Sequence, residues 1–189
     1  MSFLDALLGR AKPVKAKTEQ LFAITTASVT LDTRWGLKPS GAGAVVYKPL
    51  TSSYFADAST EIDQLLALTA KEQGSSVRRE GDDLGYQWVI VEDDDFEDLV
   101  AAIHMVTLTL QERGFKDQLL AAAFRFDGAA DGPVYWLYNY KRGTFYPFVP
   151  RANHTRDNSE ELRLAAVMDR ELPMEKNPTQ WYALWGIPI

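Results

Sequence analysis

The 189-residue sequence contains no cysteine, which excludes disulfide bridges, thiolate metal sites and a cysteine nucleophile. No apolar run approaches the roughly 18 residues that a membrane-spanning helix needs, so we expect no transmembrane segment. The net charge of −6 argues against nucleic acid as a partner, because such binding usually needs a basic surface. The lack of cysteine also fits a reducing compartment, and we predict a cytoplasmic protein.

Recognisable catalytic and metal-binding motifs are missing as well. The chain has neither a G-x-S-x-G nucleophile turn nor an H-E-x-x-H zinc motif. Of its two histidines, His104 lies beside the apolar stripe of a predicted helix, and His154 lies in a loop without a neighbouring nucleophile. The acidic run 92–98 is better explained by favourable charge at a helix N-terminus than by a cation site. We therefore predict a non-enzymatic protein with no catalytic residues, no metal and no cofactor.

Charge is distributed unevenly along the chain. Residues 1–17 contain four basic side chains and one acidic side chain, a net of +3, so the remainder carries −9. A secretory leader would place its basic residues before the apolar run, and here the order is reversed. We predict that residues 1–17 form an N-terminal arm and that 18–189 form a single domain.

The N-terminal arm begins with an amphipathic pattern. Wound at 100° per residue, its large apolar side chains fall on one arc, and Pro13 ends any helix near residue 12. About three helical turns are marginal in water, so the segment needs a surface, either its own domain, a partner protein or an anionic membrane. The predicted membrane- or partner-binding residues are the apolar Phe3, Leu4, Leu7 and Leu8 and the basic Arg10, Lys12, Lys15 and Lys17.

The remaining pattern predicts an α+β fold, with a mainly antiparallel sheet of hairpins packed by two or three long helices and the short N-terminal helix. Long helices are predicted over 57–73 and within 93–114, where Gly114 ends the helix, and the sequence GDDLG predicts a hairpin turn. The segment VTLDTRWGL is predicted as a strand, and PSGAG as a turn before a strand at 44–48. A last helix is expected with Asn158 or Ser159 as its N-terminal cap.

An aromatic segment is the second informative feature of the chain. Strand alternation over 134–140 would place aromatic side chains on both faces of a sheet. Either both faces are covered within the fold, or one face is a protein-interaction surface. The second interpretation leads to an alternative function, a chaperone-like peptide-binding domain that forms a homodimer. The interaction surface would contain Tyr135, Trp136, Tyr138 and Tyr140.

Five segments together resemble the PspA-associated protein family PspAB: FLDALLGRAKPVK, LFAITTASVTL, GAGAVVYK, WVIVEDDDFEDLV and WYALWGIPI. The resemblance covers nearly the whole chain and contains no catalytic signature. It implies an adaptor or regulatory part in the envelope-stress response, with a PspA-like partner at the cytoplasmic surface of the inner membrane. The order of hairpins and helices is also loosely similar to secretion chaperones and YbjN-like proteins, which is an analogy at the level of the fold.

Overall fold

The computed structural model describes residues 19–128 and 132–189 and, between 68 and 73, only the backbone. The predicted N-terminal arm, including its short helix, lies outside these residues. In the described part, the helices are α1 (Ala23–Trp35), α2 (Ser53–Gln73), α3 (Phe96–Glu112) and α4 (Asn158–Met168). The strands are β1 (Lys38–Tyr47), β2 (Ser76–Gly81), β3 (Gln87–Glu92), β4 (Leu119–Asp127), β5 (Val134–Asn139), β6 (Thr144–Phe148), β7 (Pro150–Arg151) and β8 (Thr155–Arg156).

Six strands form one antiparallel sheet in the order β2-β3-β1-β4-β5-β6, and β7 and β8 form a separate two-stranded ribbon. Strand β1 is central, and Val45 pairs with Val89 on one side and with Ala122 on the other. The hairpin β2–β3 lies on one flank of β1, and the consecutive strands β4, β5 and β6 lie on the other. These features confirm the predicted α+β class with its antiparallel hairpins.

The glycine-rich stretch is part of β1 and not the turn that the sequence predicted. The five residues from Pro39 to Gly43 oppose only the three from Phe126 to Phe124, so β1 bulges there. Gly41 adopts φ +77° within the bulge, a conformation that glycine reaches without strain. At Gly43, an added Cβ would lie 2.7 Å from methyl groups of Leu99 and Ile103. The absent side chain therefore lets α3 approach β1 closely.

The predicted strand VTLDTRWGL was wrong, because most of it belongs to α1. Ile24, Ala27 and Leu31 lie on one face of that helix and are fully buried. The Thr33 hydroxyl donates to the carbonyl of Val29 at 2.8 Å, so this β-branched residue is accommodated within the helix. Gly36 ends α1 in the left-handed conformation with φ 65°. Burial of the helical face outweighs the β propensity of valine and threonine.

Acidic side chains begin two of the helices. The Asp95 carboxylate accepts hydrogen bonds from the amides of Glu97 and Asp98 at 2.8 and 3.2 Å, which agrees with helix capping in the acidic run. At α4 the cap is Asp157, whose carboxylate accepts from the Glu160 amide at 3.0 Å. The prediction of Asn158 or Ser159 as this cap was therefore wrong by one position. In residues 19–128 and 132–189, no group of three or more potential metal ligands comes together.

The sheet is covered on both faces by different parts of the chain. All four helices contribute buried side chains to the larger cluster, which includes Val45, Phe124 and Trp136 from the sheet. On the other face, sheet side chains pack against the C-terminal segment, 181–189. The aromatic C-terminal segment therefore packs against the body of the domain. None of the helices in the described ranges is both long and apolar enough to cross a membrane.

Candidate functional site

The C-terminal segment is attached to the sheet through hydrogen bonds to its backbone carbonyls. The Tyr146 and Tyr135 hydroxyls donate to the carbonyls of Tyr182 and Ile189, both at 3.0 Å. Arg78 donates to the Pro188 carbonyl at 2.8 Å. The donors are side chains of the sheet strands β2, β5 and β6, so the segment follows the sheet without adding a strand to it.

A buried ion pair fixes the start of this segment. Glu161, which is 1% exposed, accepts from Arg156 at 2.8 and 2.9 Å and from the Val149 amide at 2.8 Å. Burial raises the pKa of Glu161, and its hydrogen bonds with Arg156 and the Val149 amide oppose that rise. The same arginine donates to the Trp181 carbonyl at 2.7 Å. The charge of Arg156 therefore links α4, the β7–β8 ribbon and the C-terminal segment.

Between the C-terminal segment and the sheet lies a cleft of about 470 Å³. Its volume falls in the range of roughly 300–1,000 Å³ that is typical of ligand sites. Sheet residues form the floor, the β2–β3 turn forms one end, and the C-terminal segment forms a wall. The cleft is lined by Val46, Asp82, Leu84, Tyr86, Trp88, Leu120, Ala121, Asn139, Lys141, Tyr146, Tyr182, Ala183, Leu184 and Trp185.

The side-chain oxygens of Asp82 and Asn139 in the cleft have structural partners. The Asp82 carboxylate accepts from the Leu84 and Tyr86 amides at 3.0 and 2.9 Å and from the Trp88 indole at 3.0 Å. The Asn139 side-chain oxygen accepts from the Lys141 amide at 3.1 Å. Because these oxygens already hold the two hairpin turns in place, the cleft is equipped to bind apolar groups.

One end of the cleft is acidic and partly apolar at its rim. A contiguous depression of about 350 Å³ shares Asp82, Leu84 and Trp185 with the cleft and adds Glu80 and Asp83. Leu84 is 82% exposed and Trp185 is 37% exposed, so large apolar side chains meet water beside these carboxylates. We call Glu80, Asp82, Asp83 and Leu84 the acidic rim. Lys141 lines the cleft on a different turn, the one that joins β5 and β6.

The four aromatic residues predicted as an interaction surface are internal. Trp136 and Tyr138 are fully buried beneath the helices, and Tyr135 is buried beneath the C-terminal segment. Tyr140 is half-buried, its hydroxyl lies 2.6 Å from that of Thr107, and burial raises its pKa. These positions correspond to the other interpretation, in which both faces of the sheet are covered within the fold.

The other candidate residues do not line the cleft. The eight predicted binding residues of the N-terminal arm all fall in 1–17, outside the described residues. His104 lies on α3 with its ring centroid 4.8 Å from that of Phe22, and burial lowers its pKa. His154 is an exposed loop residue whose ring packs edge-on against Trp185. The structure therefore does not bring the two histidines together.

Sequence reasoning did not identify the cleft residues Leu84, Tyr86, Trp88 and Tyr182. The available signals were the leucine inside the polar turn GDDLG and the aromatic residues that continue to the C-terminus. The leucine and the C-terminal aromatic residues lie far apart in the sequence. They come together only because the C-terminal segment crosses the sheet.

Comparison with known proteins gives one finding. No curated protein and no solved structure matches the chain. A family model described as PspA associated protein B matches residues 1–189, the whole of the sequence. This agrees with the resemblance carried by the five sequence segments, and the family name implies an association with PspA. The chain belongs to the PspAB family, PspA associated protein B.

Proposed function

We propose that the protein is a non-enzymatic adaptor that binds a PspA-like partner in the envelope-stress response, in the cytoplasm and at the inner membrane surface. The observation that carries this proposal is the match of the whole chain to a family named for its association with PspA. The cleft supports a binding role. The side-chain oxygens of Asp82 and Asn139 already accept structural hydrogen bonds, so the cleft offers mainly its apolar surface to a partner.

The N-terminal arm is the proposed contact region. Its leucines and phenylalanine supply an apolar face, and its basic residues supply attraction to an anionic surface. The body carries the opposite charge, so a membrane-bound arm would hold an acidic domain beside the lipid. We expect such binding to weaken as ionic strength rises, because salt screens exposed charges.

The test uses the purified full chain, a purified PspA-like protein and vesicles that contain anionic lipid. Burying one leucine contributes about 1.5–3 kcal/mol, so Leu7→Glu should weaken association by about tenfold or more. Its thermal transition should stay close to that of the original chain. Leu162→Glu is the control, because Leu162 is an exposed leucine of α4 and its change adds the same charge to the body.

Three outcomes would contradict parts of the proposal. Failure of the original chain to bind the PspA-like protein would overturn the adaptor function. Binding to this protein but not to vesicles would remove the membrane role alone. A large loss of thermal stability in Leu7→Glu would assign the arm to the core of its own domain.

The alternative function is a chaperone-like peptide binder, and the specific observation in its favour is the apolar cleft. It predicts that short apolar peptides bind in the cleft against Trp88 and Trp185. Their binding should slow hydrogen exchange of the backbone amides around the cleft. Sedimentation at several concentrations would test the homodimer that accompanies this alternative. A monomer at every concentration would exclude the dimer.

A further inference from the structure

The cleft and the N-terminal arm have complementary chemistry. The cleft presents aromatic and aliphatic side chains around a volume of about 470 Å³. The arm contains four large apolar residues that need a surface to pack on. We propose that the cleft is the docking site for residues 3–8, the apolar start of the chain's own N-terminal arm. This inference goes beyond the adaptor function and does not depend on it.

The charges of the cleft are opposite in sign to those of the arm at both ends of the cleft. The acidic rim contributes Asp82, Asp83 and Glu80, the last already paired with Arg78 at 3.3 Å, whereas Lys141 lines the cleft on another turn. Along the arm, the acidic residue Asp5 precedes all four basic residues, which lie within 10–17. Docking therefore has a preferred direction, with Asp5 toward Lys141 and the first two basic residues, Arg10 and Lys12, toward the acidic rim.

Aromatic side chains at the rim add a second attraction for the basic stretch. Trp185 and Tyr182 are 37% and 54% exposed at the cleft wall. A lysine or arginine that approaches the carboxylates could also stack its charge over these rings. Leu84 provides an exposed apolar contact beside the same carboxylates. The acidic rim is thus suited to the junction between the apolar and basic halves of the arm.

The length of the arm permits this docking. Ten residues lie between Leu8 and Glu19, and an extended chain of that length spans up to about 35 Å. Glu19 lies on the helix side of the sheet, where Leu21 is buried in the helix-side cluster. A six-stranded sheet is only about 25 Å wide, because neighbouring strands are about 4.8 Å apart. The arm can therefore pass around the sheet to the face that holds the cleft.

Docking has a consequence for access to the arm. The leucines that pack into the cleft cannot at the same time contact lipid or another protein. The cleft and an anionic vesicle therefore compete for one segment. Weakening the acidic rim should release the arm and increase its association with vesicles.

The first experiment uses cysteine cross-linking, which is clean because the chain has no cysteine of its own. The variant pair Leu8→Cys/Leu84→Cys places one thiol on the arm and one at the acidic rim. The control pair Leu8→Cys/Val29→Cys uses a residue of α1 that is also well exposed, at 62%. Bismaleimide treatment of dilute full-length protein, followed by intact mass measurement, should cross-link the first pair about tenfold faster, a factor that corresponds to about 1.4 kcal/mol.

The outcomes of cross-linking separate the possible occupants of the cleft. Cross-linked monomer in the Leu84 pair only would support docking within one chain. Equal rates in both pairs would overturn the proposal, because the arm would then show no preference for the cleft. Covalent dimers in place of monomers would also overturn it and would assign the cleft to the arm of a second copy.

The second experiment tests the charges. Arg10→Glu/Lys12→Glu should slow cross-linking of the Leu84 pair, and adding Asp83→Lys should restore part of the rate. Asp94→Lys is the matched control, because Asp94 is an exposed aspartate near the α3 N-terminus and should restore nothing. Equal restoration by both lysines would overturn the specific role of the acidic rim.

A third measurement tests the competition. Asp83→Asn should increase the fraction of full-length protein that floats with vesicles of anionic lipid, whereas Asp94→Asn, which removes the same charge, should not. Circular dichroism and thermal unfolding would check that both variants stay folded. An equal increase in both variants would overturn the competition, because it would follow from net charge alone.

Discussion

The two faces of the sheet are covered by different kinds of chain. On one face, α1, α2, α3 and α4 pack over Val45, Phe124 and Trp136 and exclude water from them. On the other, a single irregular segment crosses the sheet and leaves a cleft beside it. An extended segment covers only a strip of a sheet, whereas packed helices cover a layer about 10 Å thick. The difference explains why the cleft lies on the segment-covered face.

The largest expected difference between the faces concerns two tryptophans. Trp136→Ala removes a fully buried ring on the helix-covered face and should lower the free energy of unfolding by about 3–5 kcal/mol. Trp185→Ala removes a partly exposed ring that contacts Phe148 and His154 and should cost about 1 kcal/mol. Urea denaturation of both variants checks this. Equal losses would show that the segment-covered face is as important for stability as the helix-covered face.

Two glycines sharpen the comparison at the level of backbone packing. Gly43→Ala forces a methyl group against the side chains of Leu99 and Ile103 and should cost about 1–3 kcal/mol. In Gly81→Ala, the close neighbour is the end of the flexible Gln87 side chain, which can move aside. We expect this control to stay near the original stability in thermal unfolding. A tolerated Gly43→Ala would mean that α3 can shift away from β1.

A smaller effect is expected where the C-terminal segment is attached. Tyr135→Phe removes the hydrogen bond to the Ile189 carbonyl and should cost about 1 kcal/mol. Hydrogen exchange should quicken in 182–189 before it changes in β4, because the segment can open locally. Tyr54→Phe is the control, since Tyr54 is 79% exposed on α2. Uniform acceleration across the sheet would show that the segment opens only with global unfolding.

The smallest effect is a dependence of stability on pH through His104. Burial lowers the pKa of His104, and the Glu19 carboxylate opposes this shift. The unfolded state therefore binds the proton more readily, so stability is highest above the ordinary histidine pKa of about 6.5 and falls as pH drops toward the lowered value. His104→Gln should flatten this part of the profile in urea denaturation. The control His154→Gln changes an exposed loop histidine, and an equal flattening there would exclude burial as the cause.

Local signals in the sequence determined much of the fold. The apolar stripe of α3 and the polar turn before β3 predicted the helix and the β2–β3 hairpin. The acidic run before Phe96 predicted helix capping, which Asp95 performs. Each of these features depends on neighbouring residues, whose spacing sets hydrogen bonding and the side that faces the core. The composition and the absence of cysteine likewise required no structure.

Tertiary structure decided the rest, for a physical reason that single segments cannot contain. The α1 segment is rich in threonine and valine, and only the burial of Ile24 and Leu31 against the sheet makes it helical. The aromatic pattern of β5 is compatible with either covered or open faces of the sheet. The path of the C-terminal segment across the sheet decides between them. The cleft joins the β2–β3 turn to Tyr182–Trp185, which lie far apart in the sequence. Such a site exists only after long-range packing, because neither part forms a concave surface alone.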